Sequence, residues 1–435
     1  LTDISHWIER YYDRESESEW ERLERHRTEF AVTMRTLLDH LPLPPARVLD
    51  CGGGPGRYAI ELAQRGFAVT LFDLSAENLR LAQVKSQAAE VKLVAYEHGT
   101  ATDLSRFMDE AFDAVLLMGP LYHLLEANER HQALLEARRV LCHGGLLFAT
   151  FITRYAPFLY CAAHETDWPV REPEFAESLL QTGIMPPRGA ESSAFVAHCA
   201  HPGEVPSLIE ESGLDVVALL GVEGLVSMIE DGVNALSGAA WEKWVELNHR
   251  VAADPSVHGC VEHLLAVAVK PRWRAALVEI ARQLGPAGIP FKVVGGTVPA
   301  LYGVRVPVKD LDLEMDAQSA VRFQELFAAH ATQPVALSKS DTYRSYFGRF
   351  ELHGATVEVM GDLHRREGSA WVPTMASTET IVELDGVPIR VPWLEEETLA
   401  YIRRGRLQRA ALCLPHCDHA RLMRLLRGEQ ATDVL

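Results

Sequence analysis

The chain has 435 residues, 48% hydrophobic and 23% charged, with a formal charge of −18. That length predicts two or three domains, and the acidic balance argues against a nucleic-acid surface, which would carry a basic stripe. No apolar run is long enough to span a bilayer or to act as a signal-peptide core, so no membrane partner is expected, and seven scattered cysteines predict a reducing cytoplasm. Basic runs are short, as at Arg403-Arg404-Gly-Arg406. They favour a small-molecule acceptor over nucleic acid and leave a local RNA contact as the second reading.

Residues 1–40 read as helix, with Trp20, Leu23, Phe30, Met34, Leu37 and Leu38 on one apolar face. Pro42, Pro44 and Pro45 stop it. Residues 47–74 read as strand, glycine-rich turn, helix, strand. Val48 and Leu49 end on Asp50, then Gly52, Gly53, Gly54 and Gly56 follow, and Val69 to Phe72 ends on Asp73. A glycine turn lets the backbone approach a ligand closely, and the next helix aims its free N–H groups there. An acidic residue ending the second strand is placed to accept hydrogen bonds from ribose hydroxyls.

Ser75 N-caps a helix to Ala89, and Val91–Ala95 reads as the third strand. Phe112–Met118 is the fourth strand, followed by a turn in which His123 is the titratable side chain. Helix 130–140, turn 141–145 and strand 146–152 come next. A long insertion, 153–200, carries Tyr155, Phe158, Tyr160, His164, Trp168 and Phe175. A helix at 202–213 and a strand at 214–220 precede a second insertion, 225–260, with Trp241, Trp244, Asn248, His249 and His258. Strand 262–270 closes the domain. Insertions of this length are often lids or binding loops; a hydrophobic cap or dimer interface is the alternative.

The alternating Asp50-x-Gly52-x-Gly54-x-Gly56 resembles the first motif of the class I S-adenosylmethionine (SAM)-dependent methyltransferases. Asp73 matches their second motif, and Arg139-Val-Leu-x-x-Gly-Gly145 their later pattern. The resemblance covers residues 40–271 and implies an α/β, Rossmann-like sheet with helical insertions. It implies SAM as cofactor, with Asp50 and the glycines at the methionine end and Asp73 with Leu74 at the ribose. Asp103 and the Ala101–Thr102 backbone would contact the adenine, although Asp103 also suits a helix N-cap. Met118 to His123 would face the methyl group, with His123 as base or as a structural histidine. The N-terminal helix would close over SAM and bring Tyr12 near the methyl group, unless Tyr11 and Tyr12 are a packing pair. The acceptor is left unnamed.

The second half opens with a helix at 272–285. A strand then leads to Gly295-Gly296, and Asp310-Leu-Asp312 follows, with Glu358 on a later strand, 355–360. Residues i and i+2 of a strand share a face, so Asp310 and Asp312 converge, and Mg²⁺ takes hard oxygen ligands together with phosphate. Gly295 and Gly296 free the backbone to grip a triphosphate. This half resembles the DNA polymerase β-like nucleotidyltransferases over 275–365. The resemblance implies a smaller α+β domain in which Asp310, Asp312 and Glu358 bind Mg²⁺ and NTP and catalyse NMP transfer to a hydroxyl. Lys309 replaces the usual Thr, Glu358 replaces Asp, and Asp362 is a second candidate. A domain that senses nucleotide without turning it over is the rival. Residues 393–428 read as a helical tail, where Cys413, His416, Cys417 and His419 suit packing roles better than zinc. The expected division is therefore 1–271 and 272–435, with the oligomeric state open.

Overall fold

A computed structural model describes residues 3–185, 195–227, 229–374 and 377–427. It divides into two compact units, Leu1–Lys270 and Pro271–Leu435.

The first unit holds β1 (Arg47–Cys51), β2 (Ala68–Asp73), β3 (Ala95–His98), β4 (Phe112–Leu117), β5 (Leu141–Thr153), β6 (Ile184–Met185), β7 (Ala197–Ala200), β8 (Asp215–Gly221) and β9 (His263–Val269). The sheet runs β3-β2-β1-β4-β5-β7-β6, and β9 pairs with β5 and β8. The strands from β3 to β5 are parallel, and β9 is antiparallel to its neighbours. Strand order reverses between the parallel β1 and β4, so a crevice opens at their carboxyl ends. Alternation sends Val48, Leu71 and Leu116 into one core and Leu49, Phe72 and Val115 into the other. Both faces are covered, which is why these strands are apolar at nearly every position.

The N-terminal segment is two helices rather than one, α1 (Asp3–Arg25) and α2 (Arg27–His40). They break at His26, whose ring pairs with Glu230. Leu38, placed on the apolar face by spacing, is 42% exposed. The third strand begins later than its β-branched run suggests. Leu93 turns inward, Val94 donates one hydrogen bond to the Val69 carbonyl at 2.7 Å, and the ladder with β2 starts only at Ala95. The expected turn at 141–145 is instead the start of β5, because Leu141 already pairs with Phe112 across an irregular step. The first insertion folds into helices Ala156–His164, Trp168–Arg171 and Pro173–Thr182 with β6 and β7, and its residues 186–194 lie outside the described ones. The second forms helices Glu230–Asn234, Gly238–Val251 and Pro255–His258. Within it Asn248 is fully buried and accepts the Leu225 N–H.

The second unit holds β10 (Lys292–Val294), β11 (Asp310–Met315), β12 (Ala331–Lys339), β13 (Tyr343–Leu352), β14 (Ala355–Glu367), β15 (Ala370–Pro373), β16 (Thr380–Leu384) and β17 (Val387–Val391). The main sheet runs β10-β11-β14-β13-β12, with β15 on β14 and a separate β16–β17 hairpin. Only β11 and β14 are parallel within it, and their register sets Asp312 beside Glu358. Helix Arg272–Leu284 buries Trp273, Leu277 and Ile280 in this unit's own core. The tail forms helices Leu394–Arg403, Leu407–Cys413 and His419–Leu426, and Gly428 lies outside the described residues. Cys413 packs with Leu394 and Tyr401, and Cys417 packs beside it.

Candidate active site

The glycine turn is shaped by two carboxylates. A Cβ on Gly53 would lie 2.5 Å from Asp50 Cγ, so this glycine, outside the alternating pattern, is sterically required. Gly54 adopts φ +56° and turns its N–H onto Asp73 Oδ2 at 2.8 Å. Asp73 Oδ1 accepts from Ser75 N at 2.8 Å and Asn78 Nδ2 at 3.3 Å. One side chain thus ties the end of β2 to the turn after β1 and to α4 (Ala76–Ala88). Burial pushes its pKa up. Asp50 is fully buried, and among the described residues neither oxygen has a partner at full hydrogen-bond geometry, the Ala59 backbone N–H being the group that eases its charge. Burial, then the Asp73 charge, raises its pKa to about 7.

A cavity of about 130 Å³ opens here, lined by Asp50, Gly52, Gly54, Asp73 and Leu74. Ala101, Met118, Tyr12 and His123 also line it. Gly56, Thr102 and Asp103 do not. Gly56 caps the helix Arg57–Gln64 at φ +84°. Asp103 is exposed and accepts the Ser105 N–H at 3.0 Å, so the structure shows its turn-capping role, and Thr100 lines the cavity in its place. Sequence reasoning missed Ile8, Glu19 and Arg22, whose approach depends on how α1 docks, while Tyr122 comes from the turn expected to face the site. Asp13 on α1 accepts the Ser75 hydroxyl at 2.6 Å, and the Arg57 guanidinium stacks 4.6 Å from the Trp20 ring centre.

Tyr12 and His123 are brought together, with Oη and Nε2 2.6 Å apart. His123 Nδ1 lies 2.8 Å from the Val196 carbonyl. A carbonyl only accepts, so Nδ1 carries the proton and Nε2 accepts from the Tyr12 hydroxyl. Burial lowers His123 to about 4 and raises Tyr12. The imidazole is therefore neutral at pH 7, its lone pair is occupied, and it is a weak base. Of the two readings of His123, base or structural histidine, these contacts with Tyr12 and the Val196 carbonyl favour the structural one.

A second cavity of about 500 Å³ shares Tyr12, Glu19, Arg22 and Tyr122 with the first. The first insertion supplies Trp168 and Phe175 to its wall, so this insertion lines a site rather than only capping a core. Behind it lies a buried ionic network. Arg22 bonds both oxygens of Glu29, at 2.7 and 2.9 Å, and reaches Glu19 at 3.1 Å. His263 bonds Glu223 at 2.7 Å. Burial opposes the Glu29 charge, yet Arg22 and His263 hold it down at about 2. Burial likewise opposes protonation of His263, but Glu29 and Glu223 lift it to about 9. Glu29, Glu223 and His263 are the one group at metal-ligating distance among the described residues. Arg22 and a protonated imidazole already neutralise those carboxylates, so a cation does not fit.

In the second unit a Cβ on Gly295 would lie 2.3 Å from Asp312 Oδ2, which shows how closely the Gly-Gly turn meets the acidic strand. Burial, then Asp310, Glu358 and Glu397, raises Asp312 to about 7. Glu397, on the helix Leu394–Arg403, is also raised to about 7 by burial, and spacing gave no sign of it. Glu358 is held by Arg349 on β13, at 2.6 Å. Lys292 donates to the Thr378 carbonyl at 3.0 Å and pairs with Glu379 at 3.6 Å. Among the described residues Asp310, Asp312 and Glu358 do not form a group of three with all ligand atoms within 4.8 Å of one another, although Asp312 stands in register with Glu358. A Cβ on Gly296 would meet the Arg409 guanidinium at 3.3 Å.

Residues 49–149 match the family model for a methyltransferase domain. The matched stretch holds β1 to β4, the glycine turn and Asp73, so the first unit carries a methyltransferase-type domain there. Its relatives include the tRNA 5-carboxymethoxyuridine methyltransferase of Escherichia coli, 29% identical over 40% of this chain and 62% of that one. A ubiquinone biosynthesis O-methyltransferase of Paracidovorax citrulli is 28% identical over 42% of this chain and 68% of the other. The chain thus spans under two thirds of the first of these. Among solved structures, a candidate nucleotidyltransferase of Thermotoga maritima is 28% identical, covering 36% of this chain and 94% of that one, with a TM-score of 0.30.

Proposed function

We propose that the first unit transfers a methyl group from SAM to a small organic acceptor held in the aromatic-lined cavity. The observation that carries this is two cavities sharing Tyr12, Glu19, Arg22 and Tyr122, one built on the glycine turn and Asp73. Gly52 and Gly54 would hold the methionine end of SAM, and the buried Asp50 carboxylate suits its ammonium. Asp73 and Leu74 would hold the ribose, with Thr100 and Ala101 near the adenine. SAM supplies an electrophilic sulfonium methyl. The residues of the chain orient the partners: His123 fixes the Tyr12 hydroxyl at the shared wall, and α1 covers the turn. Such positioning supplies much of the rate in an in-line transfer.

The ubiquinone-pathway relative acts in small-molecule methylation by its name, and the net charge of −18 supports the same acceptor class here. The tRNA-modifying relative supports the rival, an RNA acceptor. Labelled methyl incorporation from SAM into a metabolite panel and into bulk tRNA separates them. We expect label in a small molecule; label in tRNA alone overturns this reading.

For the second unit, the Arg349–Glu358 pair favours a fold kept without nucleotidyl transfer. Pyrophosphate release from any common NTP with Mg²⁺ would reinstate NMP transfer and with it a bifunctional enzyme.

A further inference from the structure

The second cavity has a chemical character that the methyl-transfer reading leaves open. Its wall carries Tyr12, Tyr122, Tyr160, Trp168, Phe175 and Phe195. Aromatic faces carry negative quadrupole charge and attract cations. The charged residues in and behind that wall are unevenly matched. Among the described residues the cations are Arg22, His26 and His263, and each is paired with a carboxylate. Arg22 is bonded to Glu29 and Glu19, His263 to Glu223, and His26 to Glu230. Glu165, at the rim, is paired with Arg171 at 2.7 Å.

Glu262 is left over. It lines the cavity and immediately precedes His263 at the start of β9, and its carboxylate accepts no hydrogen bond among the described residues. Burial raises its pKa against the opposing pull of the His263 charge, Glu223 adds to the rise, His26 opposes it and Glu29 adds to it, so on balance this carboxylate still gains by meeting positive charge. A bound cation would relieve that carboxylate while stacking on the rings. Among the described residues, a carboxylate ligand would meet Glu262 where each cation of the wall is already paired with a carboxylate, Arg22 with Glu29 and Glu19.

We propose that the second cavity selects an amine, carried on an aromatic or other apolar body, with Glu262 as its anionic anchor. The inference rests on the methyl-transfer reading for its description of the cavity as an acceptor site. Its test is independent of that chemistry.

Calorimetry on the full chain would compare phenethylamine, protonated at pH 7, with the near-isosteric neutral 2-phenylethanol and the anion 3-phenylpropionate. We expect the amine to bind about tenfold or more tightly than the alcohol, the range of one charge-assisted hydrogen bond with a cation–π contact. The anion should bind most weakly. In Glu262→Gln the preference for amine over alcohol should disappear. Equal affinity of amine and alcohol for the wild-type chain, or tighter binding of the anion, overturns the proposal without recourse to any variant. An amine preference that survives Glu262→Gln overturns the assignment of the anchor. Titration with SAM is run separately on the wild-type chain. Its failure would sink the methyl-transfer reading and leave the amine result standing on its own.

Discussion

Asp73 does two jobs with one carboxylate. It holds the glycine turn through Gly54 and α4 through Ser75, and it faces the cavity where a ribose would lie. Charge-assisted hydrogen bonds contribute about 1.5–3 kcal/mol each. Asp73→Ala is therefore expected to weaken SAM binding roughly ten- to hundredfold. Unchanged affinity by calorimetry would defeat the donor-site assignment. His263 gives a pH dependence whose sign follows from its environment. Its folded pKa, about 9, lies above the ordinary value of 6.5, so its stabilisation is complete below pH 6.5 and is lost as pH rises toward 9. The stabilisation at stake is about 3 kcal/mol. The melting temperature should fall across that window, and His263→Gln should flatten the fall. Parallel pH profiles for the two proteins would show that the imidazole is not charged in the fold.

At the scale of elements, α1 is held over the glycine turn by its contacts with α4. Ser75 joins the two. Its hydroxyl oxygen accepts the Asn78 N–H at 3.1 Å as an N-cap and donates to Asp13 on α1. Ser75→Ala removes a cap of about 1 kcal/mol and an interhelical hydrogen bond of about 1 kcal/mol. The denaturant midpoint should drop accordingly, and SAM should bind more weakly because α1 lines the same cavity. A variant with normal stability and normal SAM affinity would mean that α1 does not depend on this joint. In the second unit, the β11–β14 register is the deciding element. It sets Glu358 beside Asp312, while the adjacent β13 brings Arg349 onto the same carboxylate.

For the whole molecule, the residues lining the SAM-type cavity all lie between Ser5 and Leu124, and the first unit has cores of its own. A fragment of residues 1–270 should bind SAM within a factor of about 3 of the full chain, a difference of about 0.7 kcal/mol. A fragment that is folded by circular dichroism yet has lost SAM binding would show that the donor site depends on residues beyond Lys270.

What the sequence determined by itself was local. Asp50, the glycines and Asp73 are legible because a tight turn, a helix N-terminus and a strand end must follow one another within about 25 residues. The β-rich runs around 48, 70 and 115 are legible because a strand buried on both faces is apolar throughout. The limits of β3 were not, since the edge of β2 sets where pairing begins. Nor was the exposure of Asp103, which the family resemblance assigned to the adenine. Tertiary structure alone decided the Tyr12–His123 pair, which joins residues 111 positions apart. It alone brought Arg22, Glu29, Glu223 and His263 into one buried network, and it alone set Arg349 on Glu358. These contacts have no periodicity to read. A charged side chain in a helical stripe looks solvated until another element arrives to bury it, and its partner is then chosen by packing rather than by distance along the chain.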